Sequence, residues 1–458
     1  MDPGAYEPDT IAAIATAAGI GGVGIIRLSG PQAFSISAAL SGRTPQPRQA
    51  TFAALVDSKG ETLDQGLILH FPGPHSFTGE DVAELHCHGG PVLLRSVLRE
   101  CLLAGARHAE PGEFSQRAFL NDKIDLVQAE AIADLISSST DAAVRSAARS
   151  LSGAFSNAVS ELFDNLVRLR VFVESAIDFP EEEIDFIAES DVLAQLKALS
   201  SELDSLLEKA RRGRRLHDGI KLVIIGPPNA GKSSLLNQLA EQDAAIVTDI
   251  PGTTRDTLHE HIQIDGLPLH IVDTAGLRET TDAVEREGIR RAQKEVLSAD
   301  HLLLLLDGSD GNAPKPAHFL ADVEVPPGAA ITVLYNKCDI SGTEANFQPA
   351  HNGTPPNITM SARTGAGLDL LRDHLRGSAG LTATQDGSDF SARERHIRAL
   401  EDCAQHLSQG ALQLQDHGAA ELVAEDLRLA QDALGRVTGR LSSDDLLGEI
   451  FSSFCIGK

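Results

Sequence analysis

Residues 221–239 read Lys221-Leu-Val-Ile-Ile-Gly-Pro-Pro-Asn-Ala-Gly-Lys-Ser-Ser-Leu-Leu-Asn-Gln-Leu239. A short apolar run, Lys221–Ile225, passes into the octet Gly226–Ser233, and a helix-length segment follows. This is a strand, a phosphate-binding loop and a helix in order. Glycine lets backbone wrap closely round phosphate oxygens, and the loop amides and the helix N-terminus supply positive potential. Lys232 is read as reaching the β- and γ-phosphates, and Ser233 as coordinating Mg2+. The octet alone is only moderately specific; the strand before it and the helix after it are the confirming context.

Three further motifs follow downstream. Asp273-Thr-Ala-Gly276 ends an apolar run, so Asp273 is expected to hold Mg2+ through water and the Gly276 amide to sense the γ-phosphate. Asn336-Lys-Cys-Asp339 ends another run. A carboxylate at Asp339 can accept both N1–H and the exocyclic amine of guanine, a donor pair adenine lacks, so the ligand is read as GTP. Ser361-Ala-Arg363 completes the base loop. The nucleotide site is thus read as Asn229, Ala230, Gly231, Lys232, Ser233, Ser234, Asp273, Gly276, Asn336, Lys337, Asp339, Ser361, Ala362 and Arg363.

The catalytic apparatus is less legible. Where many GTPases carry a water-orienting Gln after the Asp-x-x-Gly motif, this chain has Leu277. Glu279, Asp282 and Glu285 stand as near-equal candidates for that task. No arginine finger is identifiable, and Arg255 and Arg278 read by default as surface residues. The hydroxyls and turn carbonyls of Thr248–Asp256, with Asn229, offer a place for a monovalent cation instead.

Apolar runs at Lys221–Ile225, Leu269–Val272, Leu302–Leu306 and Ile331–Leu334 alternate with helix-length segments over 219–378, the signature of a doubly wound α/β sheet. Upstream, residues 9–120 mix strands (Val23–Leu28, Gly66–Phe71, Val82–His86) with a helix at Val92–Leu103, an α+β domain. Between the two, Leu162, Leu166, Leu169, Val173 and Ala176, then Leu196, Leu199, Leu203 and Leu206, step at helical spacing. Asp178-Phe-Pro-Glu181 separates the two helices, and the run is expected to end at Arg211-Arg-Gly-Arg-Arg215, read as a solvated linker. After a polar linker at 382–390 the spacing returns at Leu427, Ala430, Leu434, Val437 and Leu441. Helices on both sides make the nucleotide domain an insertion into one helical domain. The expected division is 1–121, an N-terminal α+β domain; 122–218, helical; 219–380, the inserted G domain; and 381–458, helical again.

Composition narrows the setting. A formal net charge of −26 argues against a broadly basic surface that coats nucleic acid. Five cysteines with no Cys-x-x-Cys spacing point to a reducing compartment. The N-terminus lacks a basic region, and Ile11–Ile26 is broken by four glycines, so neither a signal peptide nor a membrane span is expected. A cytoplasmic protein without membrane attachment is the expectation.

Asn229, Thr248–Asp256, Asp273-Thr-Ala-Gly-Leu-Arg278 and Val284-Glu-Arg286 together resemble the tRNA modification GTPase family MnmE, also called TrmE. Asp81–Gly90, Pro111–Lys123 and the terminal Phe454-Cys-Ile-Gly-Lys458 extend the resemblance over essentially the whole chain. It implies a K+-stimulated GTPase whose G domains pair, with Asn229, Thr248, Ile250 and Thr253 round K+, the threonines joining the GTP site. Thr254 joins Ser233 and Asp273 on Mg2+, and Glu285 takes the water-orienting role. It also implies a homodimer built through the N-terminal domain. In that domain Arg27, Glu84 and Lys123, with Lys458 near, would contact a tetrahydrofolate derivative (5-formyl- or 5,10-methylene-tetrahydrofolate). The implied partner is the flavoprotein MnmG (GidA), in a heterotetramer acting on tRNA. The implied product is an aminomethyl or carboxymethylaminomethyl group on C5 of the wobble uridine, U34. Two departures are small: Pro227 stands where the family often has a polar residue, and Cys87 where glycine is familiar, close enough to the folate site to alter its fit.

Some features have blander readings. Cys455 is either a nucleophile or redox thiol or a small residue packed beside Phe454 and Ile456. His86, Cys87 and His88 cannot converge on a metal, since neighbours on a strand face opposite ways. The competing function is a ribosome-assembly GTPase switch without carbon chemistry; folate binding separates the two.

Overall fold

The computed structural model describes residues 9–178, 192–242, 259–273, 295–310, 315–321, 323–326, 328–351, 353–380, 390–417, 419–440 and 444–457. They form two compact units. One comprises 1–133, 151–200 and 402–458, the other 134–150 and 201–401.

The first unit is built on a six-stranded sheet, β1 Ile11–Ile14, β2 Gly21–Ser29, β3 Thr51–Val56, β4 Thr62–Phe71, β5 Val82–Gly89 and β6 Arg107–His108, in the order β3-β4-β5-β2-β1-β6. All pairings are antiparallel except β1 with β6. Strict alternation sorts the side chains. Ala12, Ile26, Leu28, Leu85 and Cys87 enter one core, packed with the helices Ala33–Ser41 and Pro91–Leu103. Ile11 and Ala13 enter a second, with Ala109, Phe114 and Phe77. Arg27 and Glu84 fall between the first-core residues and are register partners across β2 and β5. Cys87 shares the core of Leu85, one residue out of phase with Glu84, so it does not alter the Arg27–Glu84 face as the sequence suggested.

The long helix Ala154–Asp178 buries Leu162, Leu166, Leu169 and Val173, and packs on Ala420–Thr438, which buries Leu427, Ala430, Leu434 and Val437. Two of the stripes read from sequence, Leu162–Val173 and Leu427–Val437, are the buried faces of this pair.

The second unit holds a seven-stranded sheet, β7 Ile220–Ile225, β8 His259–Ile264, β9 Leu267–Asp273, β10 His301–Asp307, β11 Ala330–Asn336, β12 Asn346–Gln348 and β13 Asn357–Thr359, ordered β12-β13-β11-β10-β7-β9-β8. The five inner strands are parallel and the two edges antiparallel. Parallel strands covered on both faces need continuous apolar runs. Leu222, Ile224, Leu303 and Leu305 fill one core, and Val223, Ile225, Leu302 and Leu304 the other.

One expectation fails. Arg211–Arg215 is not a linker: the helix Val192 to Asp218 runs straight through it. Arg211 pairs with Glu401, Arg214 with Asp218 and Glu394, and Arg215 donates to the Ala379 carbonyl. Arginine is a good helix former, and Asp218 one turn on, with Glu394 and Glu401 of the helix Glu394–His417, neutralises the run. The expected polar linker at 382–390 and Leu441 lie outside the described residues, apart from Phe390. No helix among the described residues is long and apolar enough to cross a membrane.

Candidate functional site

Nucleotide-binding chemistry gathers at the carboxyl ends of the parallel strands, where the order reverses around β7. β7 delivers the loop Gly226–Gly231 directly to the N-terminus of the helix Lys232–Gln242. Asn229 sits at φ 62°, a left-handed conformation uncommon outside glycine. Gly231 has φ 101°, and a Cβ there would fall 2.3 Å from the Asn336 side-chain nitrogen. Lys232 Nζ donates back across the loop to the carbonyls of Gly226 (3.0 Å) and Pro227 (3.2 Å), so its ammonium stands within the loop's curve. Ala230 is buried, while Asn229, Ser233 and Ser234 are exposed and open to a ligand.

The base-recognition motifs join this loop through one buried amide. Asn336, at the end of β11, donates from Nδ2 to the Ala230 carbonyl (2.7 Å) and accepts the Ala362 amide on Oδ1 (2.8 Å). Asp339 accepts the Ser361 hydroxyl at 2.7 Å, and the Cys338 amide bonds the Met360 carbonyl. Ser361 is itself buried, so it orients the exposed Asp339 carboxylate. Arg363 is exposed at the rim. Three segments over 130 residues apart in places are thereby locked into one surface. The sequence reading missed Asp307: at the end of β10 it pairs with Lys337 Nζ at 2.5 Å. An acid at the end of an apolar strand was the available signal.

Several expected residues lie outside the described residues: Thr248, Ile250, Thr253, Thr254, Gly276, Leu277, Glu279, Asp282, Glu285 and Lys458. Asp273 is described only as the last residue of β9, opposite Ile224 of β7.

A second cluster lies in the first unit. Arg27 Nε donates to Glu84 Oε1 at 3.0 Å, and the His86 ring contacts Oε2 at 3.2 Å. The Arg27 guanidinium stands 5.9 Å from the ring centres of both Phe77 and Phe114, within cation–π range. The chain end reaches the same place. Ile456 bridges to Pro111, the Cys455 carbonyl accepts the Gly112 amide, and the Gly457 carbonyl accepts Arg27 Nη1 at 3.5 Å. Gly457 has φ 95°, and a Cβ would meet the Ile14 carbonyl oxygen at 2.4 Å, so only glycine fits that approach. Cys455 is exposed rather than packed, as is Ile456, whereas Phe454 is buried.

Phe77's loop is anchored by Arg117, which is buried and bonds Glu80, Glu113 and Asp9. Burial works to raise the Glu113 carboxyl, but hydrogen bonds from Arg107, the Glu110 amide and Arg117 outweigh it and hold the group below its ordinary value. Lys123 is exposed, its stem against Gly79; no hydrogen bond or ion pair among the described residues links it to Arg27 or Glu84. His86 and His88 engage Glu84 and Asp64 while Cys87 enters the core, so the three residues diverge.

Comparison with known proteins covers both halves of the chain. A family model described as the MnmE helical domain matches residues 126–455, and one described as the GTP-binding protein TrmE N-terminus matches residues 10–123. The tRNA modification GTPase MnmE of Stutzerimonas stutzeri strain A1501 is 57% identical over 454 residues, covering 98% of this chain and 99% of its own. That of Marinobacter nauticus is 53% identical over 452 residues, with coverage of 98% and 99%. Among solved structures, Era in complex with MgGDPNP and nucleotides 1506–1542 of 16S ribosomal RNA aligns at 23% identity and TM-score 0.29, covering 41% of this chain and 66% of that one.

Proposed function

The chain belongs to the MnmE family of tRNA modification GTPases, and from that premise we propose that it is the K+-stimulated GTPase subunit of the enzyme that modifies C5 of the wobble uridine, U34. That it is a GTP hydrolase of tRNA modification follows from the family itself. The finer reading rests on the Arg27–Glu84 site, which a bare GTPase switch would not need.

In this reading Lys232 carries the β- and γ-phosphate charge, and the exposed Ser233 hydroxyl, with Asp273 and Thr254, holds Mg2+. Asn229, Thr248, Ile250 and Thr253 hold K+, which supplies the positive charge of an absent arginine finger. Glu285 orients the attacking water in place of the residue that Leu277 cannot be. Asp339 accepts the guanine edge, with Ser361 behind it.

The half-buried Arg27–Glu84 pair fits a folate derivative: a carboxylate for the pterin donor edge, a cation, and two aromatic rings beside them. When bound, such a folate supplies the one-carbon unit. Arg27, Glu84, Lys123 and Lys458 bind and orient it, and Cys455 stands exposed on the adjoining chain end as candidate nucleophile or redox thiol. The active assembly is a homodimer with a G domain inserted between helical segments in each chain. It works with the flavoprotein MnmG in a heterotetramer on tRNA in the cytoplasm, and the GTP cycle times the carbon chemistry.

The test is binding of 5-formyl-tetrahydrofolate to the purified full-length protein, paired with nucleoside analysis of tRNA from a deletion strain. Binding in wild type, loss of it in Glu84→Gln, and unmodified wobble uridines in the deletion strain are expected. Absence of folate binding together with intact wobble modification would leave only a GTPase switch.

A further inference from the structure

Asn336 and Asp339 each have a partner inside the motifs read from sequence; the partner of Lys337 lies outside all of them. β10 and β11 run parallel with Asp307 opposite Asn336, so the chain leaves both strands at one level. The Gly308 amide bonds the Asn336 carbonyl at 2.8 Å and ties the two exits together. Lys337 then turns at φ 70°, which few residues with a side chain adopt. Its Nζ donates to Asp307 Oδ2 at 2.5 Å. The other carboxylate oxygen, Oδ1, accepts the Ser309 amide (3.0 Å) and hydroxyl (2.7 Å). With both oxygens engaged, the carboxylate is fixed, and Lys337 is fixed at both ends.

We infer that Asp307 is a positioning residue of the guanine-nucleotide site, holding the Lys337 side chain stretched along the base-binding edge before nucleotide arrives. A lysine stem free to rotate loses much rotamer freedom when a ligand orders it. An ion pair that orders it beforehand removes that cost from binding. The pair persists at physiological pH: the bond from Lys337, then that from Ser309, holds the Asp307 carboxyl down at about 2. Asp307 needs no contact with the reacting phosphate in this role. Its effect therefore falls on binding of any guanine nucleotide and not on hydrolysis.

The experiment measures GDP and GTP affinity, KM and kcat for the full-length protein. Asp307→Ala should weaken GDP and GTP alike by about tenfold, the scale of one lysine's ordering, and raise KM with kcat unchanged. Asp307→Asn, which can still accept from Ser309 but lacks the charge, should fall between, and it carries the same test should the alanine variant not fold. In a Lys337→Ala background, Asp307→Ala should add nothing. Unchanged affinity in both Asp307 variants overturns the assignment. So does an equal loss in the Lys337→Ala background, which would make the Ser309 turn responsible, or a fall in kcat at constant KM.

Discussion

Gly231 shows how one position can be required by two geometries at once. Its φ of 101° is one that other residues rarely adopt, and its missing Cβ leaves room for the Asn336 amide that ties the base loop to the phosphate loop. Gly231→Ala therefore strains the backbone, at a cost of about 1–3 kcal/mol, and also displaces Asn336. GTP affinity should fall roughly 5- to 150-fold by the backbone cost alone, with the thermal midpoint of the first unit unmoved. Calorimetric titration with GTP checks this, and wild-type affinity would show that the loop relaxes freely. The sequence marked Gly231 as part of a motif, but its contact with Asn336, 105 positions on, depends on how β7 and β11 sit in one sheet. The pairing of Asp307 was illegible for the same reason, although the acid at the strand end was visible: its partner is set by strand register, and no local pattern records register between strands separated by a crossover.

Between elements, a buried relay joins β10, β11 and the helix Leu368–Ser378. His301 Nε2 meets the Thr332 hydroxyl at 2.8 Å, and that hydroxyl meets His374 Nε2 at 2.8 Å. Burial, then the neighbouring His374, pushes the His301 imidazole down to about 4 from its ordinary 6.5. Above pH 6.5 both folded and unfolded states are neutral here, and the group has no effect on stability. Below 6.5 the unfolded chain takes up a proton that the folded state refuses, so stability falls until about pH 4, by roughly 3 kcal/mol in all. Thermal unfolding of the full-length protein between pH 7 and 4 should show this decline, and His301→Gln should lessen it, the remainder coming in part from His374, which burial also pushes down. An identical slope in the variant would remove His301 as its source. Helical elements were the most legible: their stripes at Leu162–Val173 and Leu427–Val437 are the buried ones. The Arg211–Arg215 run misled because charge alone does not distinguish a linker from a helix whose acids lie on other segments.

For the whole molecule, the proposed function places two sites of different chemistry on one chain. On the proposed reading, a bound K+ and the Glu285 carboxylate take the places of the usual finger and Gln in GTP turnover. Replacing K+ with Na+ should slow turnover at least about tenfold while GDP binding persists, since the smaller ion leaves the transition-state charge poorly matched. Glu285→Ala should bind GTP normally and hydrolyse it poorly in K+. Equal rates in the two salts would discard the cation reading, and full turnover in the variant would return the water-orienting role to Glu279 or Asp282.

Sequence by itself determined the guanine-nucleotide domain, its strands and the helical stripes, because phosphate loops and amphipathic spacing are local patterns written within a few turns of chain. Only the tertiary structure decided that the chain end at Cys455–Gly457 folds onto Arg27, that Glu84 lies opposite that arginine, and that Asp307 holds Lys337. Each of these contacts joins segments whose proximity is set by sheet register and by close backbone approach, and neither leaves a signal in local composition.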